Sequence, residues 1–352
     1  MNENAVTLSR LPPPLLAWYR ANARDLPWRK TRDPYRIWVS EIMLQQTRVA
    51  AVLGYYARFL EAFPTVEALA SAPEEHLMKL WEGLGYYSRA RNLHKAARQI
   101  MEERGGLFPN TYEGIRALAG VGDYTAGAIA SIAFRLPVPA VDGNVLRVTA
   151  RITGDGGDIS TPAMKKKVTA ALAEIIPLDA PGDFNQAMME LGATVCLPNG
   201  APLCEKCPAA YLCRAFQEGR TGELPVKAPK KARRVEERAV YLFFHGQAVA
   251  LRRRPERGLL AGLWEYPNEL SGGEDWPARW GLAPKALEKA GTGRHIFTHI
   301  EWRMTAFAAE LDSPALPAGW VWANRRTLRD TYALPNAFQS FEGPVSGRLG
   351  RF

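Results

Sequence analysis

The chain has 352 residues, 47% of them apolar and 23% charged, which is long for one compact domain, comfortable for two and sufficient for a sizeable core. No apolar run approaches the length of a membrane span and Met1–Arg10 lacks the apolar stretch of a signal peptide, so an intracellular protein is expected. A formal charge of +9 and a pI of about 9.4 suit a polyanionic partner, nucleic acid before an acidic membrane surface.

The first two-thirds of the chain read as helical. Leu11–Arg24 opens with prolines and then runs apolar at helical spacing. Asp33-Pro34 is an N-cap followed by proline at the first helical position, and the helix it starts carries Ile37, Trp38, Glu41, Met43 and Leu44. Ser71-Ala-Pro-Glu74 reads as a capping box ahead of Leu77, Leu80 and Trp81. Ser88 opens a helix with Leu93, Ala96, Ala97 and Ile100 on one face. Thr161-Pro162 starts another, and Asp183 is expected to cap a helix ending at Gly192. No strand alternation is expected before residue 238. Glu218–Arg238, with prolines 225 and 229 and the cations Lys227, Lys230, Lys231, Arg233 and Arg234, reads as a basic linker suited to a phosphate backbone. Beyond it, Ala239–Phe244 and Ala248–Arg252 flank a hairpin turn at His245-Gly246-Gln247. A second β-rich stretch covers His295–Leu311, giving a small α/β domain from about 238 to the end.

Three features carry chemistry. Gly120-Val121-Gly122 lies between two helical runs. A tight turn there aims backbone N–H groups outward at the start of a helix, where they bind a phosphate oxygen without a lysine; an ordinary helix–turn–helix corner is the alternative. The four cysteines of the chain, Cys196, Cys204, Cys207 and Cys213, fall in one window and can wrap one soft metal centre, tetrahedral zinc or a 4Fe–4S cluster. A single C-x2-C knuckle, where zinc sites usually have two, favours the cluster. Lys206 and Arg214 put positive charge at its edge, a second phosphate clamp. Two carboxylates complete the set. Glu41 is set among apolar residues on a helix, which desolvates it and raises its pKa toward that of a general acid at neutral pH. Asp142 follows an apolar stretch and precedes Gly143-Asn144, a turn able to aim its side chain inward. Taken singly, each acid has a surface or capping role as its alternative.

The Gly-Val-Gly turn, an Asp some twenty residues beyond it and a C-terminal cysteine cluster, in that order, resemble the helix–hairpin–helix DNA glycosylase superfamily. Within it the chain is similar to the adenine DNA glycosylase (MutY-type) family over essentially its whole length, through Leu26-Pro-Trp-Arg29, Ser40–Thr47, Gly83–Asn92, Val141–Val145 and Asn185–Gly192. The bifunctional endonuclease III type has a Schiff-base lysine in the hairpin; here that position is Tyr124, which forms no imine. The resemblance implies a mainly α helix–hairpin–helix catalytic domain (residues 1–217) with one 4Fe–4S cluster, the linker (218–238), and a Nudix-like lesion-recognition domain (239–352). It implies a monofunctional enzyme that excises adenine opposite 8-oxoguanine or guanine in double-stranded DNA, as a cytoplasmic, nucleoid-associated monomer. Glu41 would protonate adenine N7 and then act as base toward the water, and Asp142 would stabilise the oxocarbenium-like sugar, electrostatically or as a transient covalent adduct. Tyr124 and Asn144 would support that site. Trp28, Arg29 and Gln186 would line the adenine pocket, and Gln46 and Tyr86 would wedge into the opened helix.

The second domain lacks the acidic box of Nudix hydrolases, so recognition is expected there, with Phe297-Thr298-His299 beside the oxidised base. The chain departs from the family in having seven residues between Cys196 and Cys204, where six are usual, and Ala119 where proline is common. A non-catalytic iron–sulfur lesion binder is the rival reading. It has no need of the Glu41, Asp142 and Tyr124 set. A Nudix hydrolase of free nucleotides would need the missing acidic box.

Overall fold

The structure, a computed structural model, describes residues 3–229, 232–272 and 275–350. Two compact units divide the chain: Met1–Ser71 with Asn92–Pro229, and Ala72–Arg91 with Lys230–Phe352.

The regular elements of the first unit are helices. Local sequence explains where several begin. The Asp33 carboxylate accepts the Tyr35 amide at 2.9 Å, so the Pro34–Leu44 helix starts where a capped proline places it. Thr161 accepts the Met164 amide in the same way at the start of Pro162–Ala173. Leu93, Ala96, Ala97 and Ile100 form the buried stripe expected of them. One core joins Leu11 and Leu15 to Val145, Val148, Phe184, Leu191 and Ala215; full burial of a side chain such as Phe184 is worth about 2–3 kcal/mol. Around the site, Pro34–Leu44 packs on Asp123–Phe134, and Pro181–Thr194 packs on both Asp123–Phe134 and Gly143–Thr153. The last crossing is close. A Cβ on Gly192 would stand 2.6 Å from the Asn144 Cβ, so only glycine lets the two backbones meet.

Three expectations are corrected here. Ser71 closes the helix before it, with its hydroxyl on the Glu67 carbonyl, and does not cap the next one. Its backbone is in the right-handed helical region, whereas an N-cap needs an extended one; Glu74–Trp81 starts from Pro73 instead. Asp183 lies inside the first turn of Pro181–Thr194, because Pro181 has its φ already set and starts the helix two residues earlier. The turn expected after Asp142 is the first turn of a helix, Gly143–Thr153, and Asp142 is its N-cap.

The second unit is built on a mixed sheet of β1 (Arg234–His245), β2 (Ala248–Arg253), β3 (Trp264–Glu265), β4 (Asn268–Leu270), β5 (Glu288–Ile296), β6 (Ile300–Glu310) and β7 (Trp320–Asn324). The order is β3-β2-β1-β6-β5, with β4 added to β1 and β7 to β2. The β1–β2 hairpin forms at the expected turn. However, β1 begins at Arg234, inside the expected linker. Its charged first residues, Arg234–Arg238, pair in parallel with Ile300–Met304 of β6, a partner that lies some sixty residues away and leaves no local trace. Lys230 and Lys231 of that linker lie outside the described residues. The second half of β1 is buried on both faces, as suits a strand with a parallel neighbour. Val240, Leu242 and Phe244 enter one core with Phe338 and Phe341; Ala239, Tyr241 and Phe243 enter another with Leu282 and Trp280. The hairpin β5–β6 begins at Glu288, seven residues before the expected start, and turns at residues 297–299.

Candidate active site

Glu41 is buried on the Pro34–Leu44 helix, and its Oε2 accepts the Tyr124 hydroxyl at 2.7 Å. Tyr124 occupies the first turn of Asp123–Phe134, and its oxygen also lies 3.1 Å from the Met189 sulfur. Burial pushes Glu41 up to about 7. The Tyr124 hydrogen bond opposes the rise, the Asp142 charge adds to it and Arg29 subtracts from it. The two carboxyl groups expected to act together therefore feel one another's charge.

Asp142 is held from its own helix. Its Oδ1 accepts the Val145 amide at 2.8 Å and its Oδ2 accepts the Asn144 amide group at 2.8 Å. Burial raises its pKa, and these two donors work against the rise. Asn144 is fixed in turn: its oxygen accepts Arg147 Nη2 at 2.8 Å, the same nitrogen donates to the Gly192 carbonyl, and Arg147 Nε donates to the Cys196 carbonyl. Buried Asn185 bridges Ser131 and the stretch before Asp142, through the Val138 carbonyl and the Ala140 amide.

Of the residues expected to line the base pocket, Arg29 is the most constrained. It donates to Glu190 Oε2 at 2.7 Å and to the Arg24 carbonyl, and lies over the Tyr19 ring. Glu190 is 1% exposed and also receives Arg24 at 2.6 Å. Its burial alone would raise the carboxyl, but hydrogen bonds from the two arginines prevail and hold it at about 2. Trp28 is buried, edge-on to Tyr56, and Gln186 is half-buried one turn before Glu190. Sequence reasoning gave no role to Glu190, Asn185 or Arg147. The signal for Glu190 was its helical i+4 spacing from Gln186, and for Arg147 its i+3 spacing from Asn144.

At the glycine turn, Gly120 has φ +74° and packs so closely on Asn92 that a Cβ would come within 2.5 Å of it. Gly122 is the exposed N-cap of Asp123–Phe134 without a side-chain cap, which leaves first-turn N–H groups open to an anion. Gln46 and Tyr86 are both exposed and both left-handed, with φ +57° and +48°. Such a backbone is strained for a side chain larger than glycine.

The four cysteines line one cavity with Arg151, Val148, Leu191 and Phe216, and Arg151 donates to Cys196 Sγ at 3.2 Å. Among the described residues no three His, Cys, Asp or Glu side chains are gathered around a single ion. Four thiols lining one shared cavity have the donor chemistry of a soft metal centre. Lys206 is exposed in the turn Cys204–Lys206.

In the second unit, Tyr86, Phe297, Thr298 and His299 border one cavity of about 530 Å³. Tyr86 and Thr298 bring their hydroxyls within 3.4 Å. Phe297 is half-buried between His295 and Trp302, a wall of the cavity, while Thr298 and His299 are exposed in the β5–β6 turn.

Residues 39–177 match the family described as HhH-GPD superfamily base excision DNA repair protein, and residues 239–341 match the NUDIX domain. The adenine DNA glycosylase of Rattus norvegicus is 39% identical over 93% of this chain and 77% of its own length. A thermostable thymine-DNA glycosylase structure superposes with a TM-score of 0.55 at 31% identity, over 61% of this chain and 97% of that one. A non-covalent endonuclease III–DNA complex gives 0.50 at 25% identity, over 58% of this chain and 94% of that one. With these likenesses spanning both halves of the sequence, and with Tyr124 on Glu41 beside Asp142, the chain belongs to the adenine DNA glycosylase family.

Proposed function

We propose that this protein is a monofunctional DNA glycosylase of base excision repair that removes adenine mispaired with 8-oxoguanine or guanine from double-stranded DNA. The observation that carries the reading is Glu41, buried, brought to a pKa of about 7 and hydrogen-bonded to Tyr124 within reach of the Asp142 charge.

In this reading Glu41 donates its proton to N7 of an extruded adenine. The C1′–N9 bond breaks with its electron pair passing to the base. The cationic sugar that remains is stabilised by the Asp142 carboxylate. A water then adds to C1′ and gives its proton to the Glu41 carboxylate, restoring the acid. Asn144 and Arg147 hold Asp142 in position, and Glu190 holds Arg29 at the base pocket. The Tyr124 hydroxyl has no amine lone pair with which to form a Schiff base, so the abasic strand is left intact. The glycine turn and Lys206 supply phosphate contacts, which set register without reading sequence. Cys196, Cys204, Cys207 and Cys213 would hold one 4Fe–4S cluster, which supplies a rigid anchor for the loop bearing Lys206. The cavity bordered by Tyr86, Phe297, Thr298 and His299 inspects the base opposite the adenine.

The test is a duplex with one adenine opposite 8-oxoguanine. Strand breaks that need alkali are expected; none, or breaks without alkali, would refute the reading. Glu41→Gln should bind the duplex and release no base. The purified protein should be brown, and a colourless, zinc-only preparation would remove the cluster assignment.

A further inference from the structure

The segment Ala72–Arg91 belongs to the second unit, and a small set of polar side chains fastens it there. Asn336 Nδ2 donates to the Gly83 carbonyl at 3.0 Å. Glu82 Oε1 accepts the Leu334 amide at 2.6 Å, and its other oxygen accepts Lys79 Nζ at 2.5 Å. Lys79 also donates to the carbonyls of Leu328 at 2.8 Å and Tyr332 at 3.2 Å. These bonds straddle the start of a turn whose backbone is left-handed at Gly83, Gly85 and Tyr86. The far side of the turn is tied by Trp81 Nε1 and Arg89 Nη2, both donating to the Gly85 carbonyl. Tyr86, at the end of the turn, is almost half exposed at 47%, yet its hydroxyl lies 3.4 Å from that of Thr298. An exposed tyrosine on a strained backbone keeps one pose only if the chain on both sides of it is pinned.

We propose that Lys79, Glu82 and Asn336 are positioning residues that set the pose of Tyr86 at the cavity, so that the segment bearing Tyr86 and the Phe297–His299 turn inspect the opposite base as one rigid body. The proposal rests on the reading of the cavity given above. Lys79 and Glu82 act from outside the cavity lining, whereas Asn336 borders the cavity with its side-chain amide engaged on the Gly83 carbonyl. Their effect passes through the Gly83–Tyr86 turn to the preference for 8-oxoguanine, and leaves the excision chemistry at Glu41 unchanged.

Single-turnover excision and duplex affinity are measured on adenine opposite 8-oxoguanine and opposite guanine. Asn336→Ala, an exposed position where truncation leaves no cavity, is expected to lower the 8-oxoguanine preference about tenfold while the rate on the guanine mispair holds. Glu82→Ala should act likewise, and Glu82→Gln, which keeps an acceptor for the Leu334 amide, should retain the preference. In a Tyr86→Ala background Asn336→Ala should have no further effect, since both changes remove the same interaction. Equal effects of Asn336→Ala in the two backgrounds would overturn the proposal, because a general loss of structure adds and a loss through Tyr86 does not. Preference lost in Thr298→Ala but intact in both Asn336→Ala and Glu82→Ala would overturn it while leaving the reading of the cavity in place. A parent protein without any 8-oxoguanine preference would remove that reading, and this inference with it.

Discussion

Tyr124 donates to Glu41 across 2.7 Å, joining residues 83 positions apart on two different helices. The bond favours the charged form of Glu41, and burial, the larger influence, favours the neutral form. The balance near 7 leaves the acid half protonated at neutral pH, where a general acid is most effective. Proton donation needs the neutral form, so single-turnover excision should be fast below pH 7 and fall as pH rises through it. In Tyr124→Phe the anion loses its donor, Glu41 titrates higher, and the inflection should move to higher pH with a lower plateau rate. An inflection that stays in place would separate Tyr124 from the titration.

Burial of Glu41 also has a cost in stability. Its pKa lies above the ordinary 4.5 in the folded state, so its contribution is fully present below about pH 4.5 and is lost as pH rises to about 7. Glutamine keeps an oxygen for Tyr124 and never ionises. Glu41→Gln is therefore expected to be inactive and more stable at pH 8 by roughly 3 kcal/mol, two and a half pKa units' worth, with no gain at pH 4. Urea denaturation at the two pH values checks this. Equal stability of parent and variant at pH 8 would mean that Glu41 is solvated.

What sequence could and could not disclose follows the range of the interactions. Asp33 and Thr161 cap the helices that follow them by bonds two or three residues long, so their roles were legible in order along the chain. Ser71 had the capping pattern but not the backbone for it, and a pattern carries no dihedral angle. Arg234–Arg238 looked like linker because five residues with four charges say nothing of a strand sixty residues away. The two acids were each visible as residues out of the ordinary, Glu41 by its apolar helix and Asp142 by the glycine after it. Their proximity was not visible, because it depends on how Pro34–Leu44, Asp123–Phe134 and Pro181–Thr194 pack. Glu190 stayed hidden for the same reason: Arg24 and Arg29, which give it meaning, are more than 160 residues away.

Glu190 should be among the costliest single positions to change. It is an ionised carboxylate with almost no solvent exposure, matched by two guanidinium groups. Removing one member of such a set strands the others, at roughly 3–5 kcal/mol. In Glu190→Gln, Arg29 and Arg24 are left without their counter-charge, so denaturation should show a loss in that range and adenine release should fall together with it. The sign of the pH dependence is opposite to that of Glu41. The Glu190 pKa is depressed to about 2, so its stabilisation is present above pH 4.5 and is lost as pH falls through 2. The parent and the variant should therefore converge in stability toward acid.

Arg147 links the cysteine loop to Asp142 through Asn144. One guanidinium donates to the Cys196 carbonyl at 2.8 Å and to Asn144 at 2.8 Å, and Asn144 donates to Asp142 at 2.8 Å. Lysine has one charged nitrogen in place of a planar fork and cannot span the carbonyls of Cys196 and Gly192 and the Asn144 oxygen together. Arg147→Lys should keep the charge and lose the geometry. The Asn144 side chain then turns freely, Asp142 retains only the backbone amides of Val145 and Asn144, and excision should slow by one to two orders of magnitude, about 1.4–2.8 kcal/mol of barrier. Duplex affinity should change little, since Arg147 is buried. The measurement is single-turnover excision beside duplex affinity. An unchanged rate in Arg147→Lys would mean that Asp142 is placed by its own helix alone, through the backbone amides of Val145 and Asn144.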